Sequence, residues 1–253
     1  MVMKKKKTIP KKKVVKSLPK KTTKVPTHIP NFDNLIGGGF INESTNLIIG
    51  NSGNGKTIFA MQFLIGGMKK GEKALYVTFE EKKEQFYKNM KIFGWDLESY
   101  EKKGLFTFLE YTPLKVKTML EEGGGTIESI ILKEKISRLV IDSITSFELL
   151  FEKELEKREA TLDLINMLKK WACTVLLTLE SDASNKRMLG TRAVEFESDS
   201  IILLYFLKQK NIRKRYLEIL KMRGTNHSKN TYGFTIGKSG ISIQKKASSL
   251  KNK

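Results

Sequence analysis

Residues Gly50-Asn51-Ser52-Gly53-Asn54-Gly55-Lys56-Thr57 constrain the fold more than any other stretch of this chain. The spacing is Gly, four residues, Gly, Lys and Thr. It lies between the apolar run Leu47-Ile48-Ile49 and a segment with Ile58, Met61, Leu64 and Ile65 at helical spacing. The pattern predicts strand, loop, helix. Glycines let the backbone curl so that successive N–H groups point at one anion, and the helix that follows turns its positive end toward the same place. The expected ligand is a triphosphate, cradled by Gly50, Asn51, Ser52, Gly53, Asn54 and Gly55. Lys56 is placed to reach the β- and γ-phosphates, and the Thr57 hydroxyl to take one position on a Mg²⁺ ion.

The rest of the core repeats that alternation. Ala74 to Phe79, Leu105 to Leu109, Ile136 to Asp142 and Thr174 to Leu179 are largely apolar runs of strand length. Between them lie helical segments: one with Phe86, Met90 and Phe93 in register, one over Thr126 to Lys135, and an amphipathic one over Leu155 to Trp171. The last carries a stripe of Leu162, Ile165, Met167 and Leu168. Apolar strands without polar alternation indicate a parallel sheet covered on both faces, and so an α/β nucleotide-binding core. From Ser200 the pattern changes to short runs, Ile201 to Phe206, Tyr216 to Met222, Tyr232 to Ile236 and Ile241 to Ile243, separated by turns. These predict an antiparallel β extension on one edge of the sheet. No internal repeat is present, so one copy of the core is expected, over residues 31–244.

Charge enters at the two ends. The net charge is +20 and the isoelectric point near 9.8, but the first thirty residues hold eleven Lys and no acid, and residues 245–253 hold four more Lys. Those fifteen lysines account for most of the excess. Residues 1–30 are therefore expected as a disordered basic tail, able to attract nucleic acid or another anionic partner without sequence preference or serving only as a solubilising arm, and residues 245–253 as a basic C-terminal tail. The single Cys173 opens an apolar run, which points to core packing and fits a reducing cytoplasm. No segment approaches the length of a membrane span.

Three constellations carry candidate chemistry. Asp142 ends the run Leu139-Val140-Ile141, where a carboxylate can anchor the water shell of Mg²⁺ or simply cap a helix. Glu80-Glu81 leaves the strand ending at Phe79. Such a pair can orient and deprotonate a water that attacks phosphate, or can be ordinary first-turn acids of the following helix. Lys221 and Arg223 fall on one face of a late strand, with His227 four residues on; they form an anion clamp or a solvated basic edge.

Taken together, Gly50 to Thr57, Thr78-Phe79-Glu80-Glu81, Ile141-Asp142-Ser143, Leu177-Thr178-Leu179-Glu180 and Lys221-Met222-Arg223-Gly224-Thr225-Asn226-His227 resemble the KaiC family of RecA-like ATPases. The resemblance runs from about Ile29 to Ile243, and Phe32-Asp33-Asn34-Leu35-Ile36-Gly37-Gly38-Gly39-Phe40 is also similar. It implies a RecA-like P-loop core that binds ATP with Mg²⁺, assembles as a hexamer with ATP between subunits, and hydrolyses it as a regulatory ATPase. Glu80 and Glu81 become the water-activating pair, and Lys221, Arg223 and His227 groups that act on the neighbouring subunit's nucleotide. The clock member's tandem second domain and its Ser-Thr phosphorylation pair have no counterpart: the matching positions read Glu195-Phe196.

Two other functions fit the same residues. One is a RecA/RadA-like DNA-binding recombination or repair ATPase. The stretch Ser181 to Glu197 would then hold a strand through Lys186, Arg187 and Arg192, although Asp182, Glu195 and Glu197 nearly balance it. The run Lys208, Lys210, Arg213, Lys214, Arg215 and the N-terminal arm are better candidates. The other is a nucleotide-sensing scaffold with little turnover, against which the complete carboxylate pair argues.

Overall fold

Every central strand of this protein has two apolar faces, and the architecture follows from burying both. The computed structural model describes residues 23–183 and 192–248. In chain order they form β1 (Lys24–Val25), α1 (Phe32–Leu35), β2 (Phe40–Ile41), β3 (Thr45–Gly50), α2 (Lys56–Met68), β4 (Ala74–Thr78), α3 (Lys83–Lys91), α4 (Leu97–Lys102), β5 (Phe106–Glu110) and α5 (Pro113–Glu121). There follow α6 (Gly125–Glu134), β6 (Arg138–Asp142), α7 (Ile144–Glu148), α8 (Glu154–Lys170), β7 (Thr174–Glu180), α9 (Ala193–Glu197), β8 (Ser200–Gln209), β9 (Ile212–Met222), β10 (Tyr232–Gly237) and β11 (Gly240–Ala247). The main sheet has the order β11-β10-β9-β8-β3-β7-β6-β4-β5.

Successive residues of a strand point to opposite faces. Ile48, Tyr76, Val140 and Leu176 pack with α2 and α3 on one side, while Leu47, Ile49, Leu75, Val77, Leu139, Ile141 and Leu177 pack with α6, α7 and α8 on the other. Each such side chain contributes about 1.5–3 kcal/mol of burial, so the run of strands has no face to give to water. Six strands, β5, β4, β6, β7, β3 and β8, are mutually parallel. The antiparallel extension is β9, β10 and β11. β8 therefore belongs to the parallel core, joined to β3 at Asn46↔Ser200, and only β9 turns back. The stripe of α8 runs through Ala160, Thr161, Leu164, Ile165, Met167 and Leu168; Leu162 lies at its margin instead of within it.

The tails are shorter than their composition suggests. Residues 1–22 and 249–253 lie outside the described residues, but from Thr23 the chain is part of the fold. β1 pairs antiparallel with β2, Thr27 and Ile29 are buried, and Asp33 accepts the Thr27 N–H at 2.8 Å and the His28 N–H at 3.0 Å. The expectation of disorder to residue 30 fails there because Val25 and Ile29 are apolar anchors and the acid that holds Thr27 and His28, Asp33, comes from beyond the segment. Residues Lys245 to Ala247 likewise finish β11, with Ala247 opposite Tyr232.

This N-terminal layer is locked by Arg138 of β6, whose side chain is fully buried. Its guanidinium donates to both Glu72 oxygens (2.5 and 3.1 Å), to Pro26 O (2.9 Å) and to Phe63 O (2.8 Å). A Cβ on Gly67 would lie 2.8 Å from Arg138 Cζ, so α2 carries glycine where the guanidinium crosses it. That packing fixes α2, and with it the loop from which α2 springs.

Candidate nucleotide site

The loop between β3 and α2 folds as its glycines require. Gly53 and Gly55 have φ of 77° and 98°, in the region that favours glycine. Gly50 cannot carry a side chain either, since its Cβ would meet Leu204 O at 2.8 Å. The buried Asn54 amide donates to that same carbonyl at 2.5 Å. The Lys56 ammonium curls over the loop to Gly50 O (2.8 Å) and Asn51 O (3.1 Å). Burial lowers its pKa, while Glu180, Asp142 and Glu80 act in the opposite sense. The loop lies at the C-terminal ends of the parallel strands, where open α/β sheets bind their ligands.

At the same ends, β6 delivers Asp142. Its Oδ2 accepts the Thr57 hydroxyl at 2.7 Å and the Tyr76 hydroxyl at 2.7 Å, and its Oδ1 accepts Thr178. Three strands and the first turn of α2 thus converge on one carboxylate. Burial, and then the Asp142 charge, push the Tyr76 phenol well above its ordinary pKa, so it is a permanent donor here.

Glu80 and Glu81 follow β4, one strand away. Both of their N–H groups donate to Thr78 Oγ1 at 3.2 Å, a side-chain turn that sets the direction of the pair. The Glu80 carboxylate is held from across the sheet, by Ser143 Oγ at 3.1 Å and by Ser146 Oγ. Glu81 is half-buried; burial first, then Asp142 and Glu80, raise its pKa above the ordinary carboxylate value. One carboxylate is therefore anchored and the other made more basic, which is the division a general base needs.

Lys221, Arg223 and His227 are elsewhere. Lys221 pairs with Ile201, which pairs with Leu47, so it sits about 10 Å below the level of Gly50 along the strands. Its ammonium donates to Phe196 O (2.8 Å) and Glu195 O (3.2 Å) at the end of α9, and Arg223 donates to Phe196 O at 2.9 Å. Arg223 also lies 3.6 Å from Asp199. His227 is buried, with Nδ1 2.8 Å from Ser228 O and Nε2 3.1 Å from Lys229 Nζ. The fold brings Lys221 and Arg223 together toward the end of the sheet away from this chain's own phosphate loop, while the contacts of His227 are with Ser228 and Lys229 instead. Lys186 and Arg187, singled out in the sequence, lie outside the described residues.

A family model described as "ATPase: KaiC" matches residues 25–248. The chain belongs to the KaiC ATPase family. Among curated relatives, the circadian clock protein KaiC3 of Synechocystis sp. is 33% identical over 228 residues, 87% of this chain and 45% of its own length. The circadian clock oscillator protein KaiC of Synechococcus elongatus is 34% identical over 227 residues, 87% of this chain and 44% of its own. This chain thus spans less than half the length of the curated relatives it matches. A crystal structure of a KaiC-like protein from Pyrococcus horikoshii OT3 superposes with a TM-score of 0.79 at 36% identity, covering 88% of this chain and all of the other.

The donor set of this KaiC-family site suits Mg²⁺. It offers oxygen only: the Thr57 hydroxyl and the Asp142 carboxylate lie 2.7 Å apart, and the Tyr76 and Thr178 hydroxyls also donate to that carboxylate. Mg²⁺ keeps water and takes phosphate oxygens, so it needs few protein ligands. Sequence reasoning singled out the loop, Asp142 and the carboxylate pair as candidates, but not Tyr76, Thr178, Ser143 and Ser146, which the fold places against them. For Tyr76 a signal existed, a phenol inside an apolar strand, because a buried hydroxyl must find a partner. Cys173 is buried, its thiol pushed up to about 12, and is inert core.

Proposed function

We propose that this chain binds ATP with Mg²⁺ and hydrolyses it as a ring-forming regulatory ATPase, and that turnover needs a neighbouring copy. The observation that carries the reading is the 2.7 Å contact of Thr57 with Asp142, which unites the phosphate loop and the acid-ended strand. The loop N–H groups and Lys56 hold the phosphates. Thr57 and Asp142 would hold Mg²⁺, which would supply neutralising charge to the phosphate oxygens. Glu81 takes the proton of the attacking water, and Glu80, fixed by Ser143 and Ser146, orients that water. Arg223 and Lys221 lie toward the other end of the sheet from their own loop, which supports a role on the next subunit, where an arginine finger contributes about 10³–10⁵ in rate. The closed assembly is a hexamer by resemblance, within the cytoplasm.

Phosphate release measured against protein concentration, with and without Mg²⁺, tests this. Turnover is expected to rise with assembly and to need the ion, and Glu80→Gln/Glu81→Gln is expected to bind ATP without hydrolysing it. Full activity in a monomeric preparation would overturn the shared site, and hydrolysis by the double variant would overturn the base assignment.

A further inference from the structure

Past the phosphate loop the sheet carries a two-stranded arm to which the proposed hydrolysis assigns no role. β8 keeps step with β3 only as far as Ile49↔Leu203, and from Leu204 to Gln209 its strand partner is β9 alone. Residues 204–217 contain no Asp or Glu and five cations, Lys208, Lys210, Arg213, Lys214 and Arg215. The surface ion pairs seen elsewhere, such as Lys82–Glu110 and Lys83–Glu101, have no counterpart on this arm among the described residues. At its centre stands Phe206, with the Arg215 guanidinium 4.1 Å and the Arg213 guanidinium 5.5 Å from the ring centroid. A groove of about 470 Å³ runs beside it, lined among others by Arg213, Lys214, Arg215, Tyr216 and Gln244.

Both strands of the arm also grip the phosphate loop. Leu204 O of β8 accepts the Asn54 amide at 2.5 Å, and Arg215 of β9 donates to Gly53 O at 3.2 Å. Anything that shifts the arm therefore acts on the two central residues of the loop.

We propose that the β8–β9 arm binds single-stranded nucleic acid and that its occupancy is coupled to nucleotide at the phosphate loop; the coupling, but not the binding, rests on the nucleotide reading above. A narrow ribbon with cations on both strands tracks a linear chain of phosphates, and guanidinium planes beside an aromatic ring offer a surface on which bases stack without sequence preference. A lipid surface would call for a broader patch with apolar side chains to insert, whereas the tip exposes only Ile212.

The probe is a fluorescent oligothymidylate, titrated by anisotropy at several salt concentrations against the full-length chain. To remove tail electrostatics, the ten lysines from Lys4 to Lys21 are replaced by Gln, and Lys208→Gln/Lys210→Gln/Arg213→Gln/Lys214→Gln is added to that background. Each lost phosphate contact lowers the slope of log affinity against log salt by about 0.7 for a single strand. The four arm changes are thus expected to lower it by about 3 and to weaken binding more than tenfold, with an unchanged thermal midpoint. Loss of all binding on neutralising the tail, or equal binding with and without the arm cations, would overturn the site. Arm-dependent binding to phosphatidylglycerol vesicles but not to oligothymidylate would overturn it in favour of a lipid surface. Coupling is read by the affinity for a non-hydrolysable ATP analogue, expected to change about fivefold or more with saturating oligothymidylate, and reciprocally. Identical affinities would refute the coupling whether or not the chain hydrolyses ATP.

Discussion

Replacing Tyr76 by Phe removes one oxygen from the middle of the sheet and leaves the ring in place. That oxygen donates to Asp142 Oδ2 at 2.7 Å from a fully buried residue position. A hydrogen bond to a charged acceptor contributes about 1.5–3 kcal/mol, so Tyr76→Phe is expected to destabilise the chain by about 2 kcal/mol. In a protein of this length each kcal/mol moves the melting midpoint by about 2–4 °C, giving a fall of about 4–8 °C. The decisive comparison is the same change made in Asp142→Ala. There the phenol has lost its acceptor, and a buried unpaired hydroxyl costs about 1–3 kcal/mol; removing it should be neutral or stabilising. Denaturant unfolding of the four proteins measures the cycle. An equal loss from Tyr76→Phe in both backgrounds would refute the claim that the phenol serves the carboxylate.

Other outcomes follow from the same geometry. With Glu81 as the proposed base, acting ionised and with its pKa raised, the rate should fall with decreasing pH through a value above the 4.5 of an ordinary glutamate, and the residual activity of Glu80→Gln should lose its acid limb at lower pH; a pH–rate profile with no such displacement would count against Glu81 as the base. Mixing Arg223→Ala chains with Glu81→Gln chains should restore phosphate release that neither shows alone, since some interfaces then unite an intact arginine with an intact base; no restoration would place both groups in one chain's site. Gly67→Ala should lower stability by about 3 kcal/mol by displacing the buried Arg138 from Glu72, visible as a reduced denaturant midpoint, and an unchanged midpoint would mean that α2 shifts freely.

How far the sequence could be read depended on whether a residue's role was local. The phosphate loop was legible because glycine spacing, Lys56 and Thr57 follow one another between an apolar strand and a helix, and Asp142 because strand ends converge in a parallel sheet. Glu80-Glu81 was legible as a pair, yet Ser143 and Ser146, which hold Glu80, come from the neighbouring strand's exit and leave no local pattern. Strand β8 was assigned to the antiparallel edge because a turn at Asn211 and another strand follow it; its second partner, β3, lies some 150 residues earlier in the chain. Composition averaged over thirty residues hid the ordered Thr23 to Pro30, whose anchors depend on Asp33 and Arg138.

One continuous sheet carries the phosphate loop at one end and Arg223 near the other. In the assembly proposed here, a tilt of any one subunit about the middle of its sheet swings these two ends in opposite directions. Each chain then behaves as a seesaw, and drawing its arginine into one neighbour's site displaces its own loop relative to the other neighbour. Such a circle has a sense of travel: an event at one site reaches the next through the body of a single chain, and a subunit unable to tilt would interrupt it there.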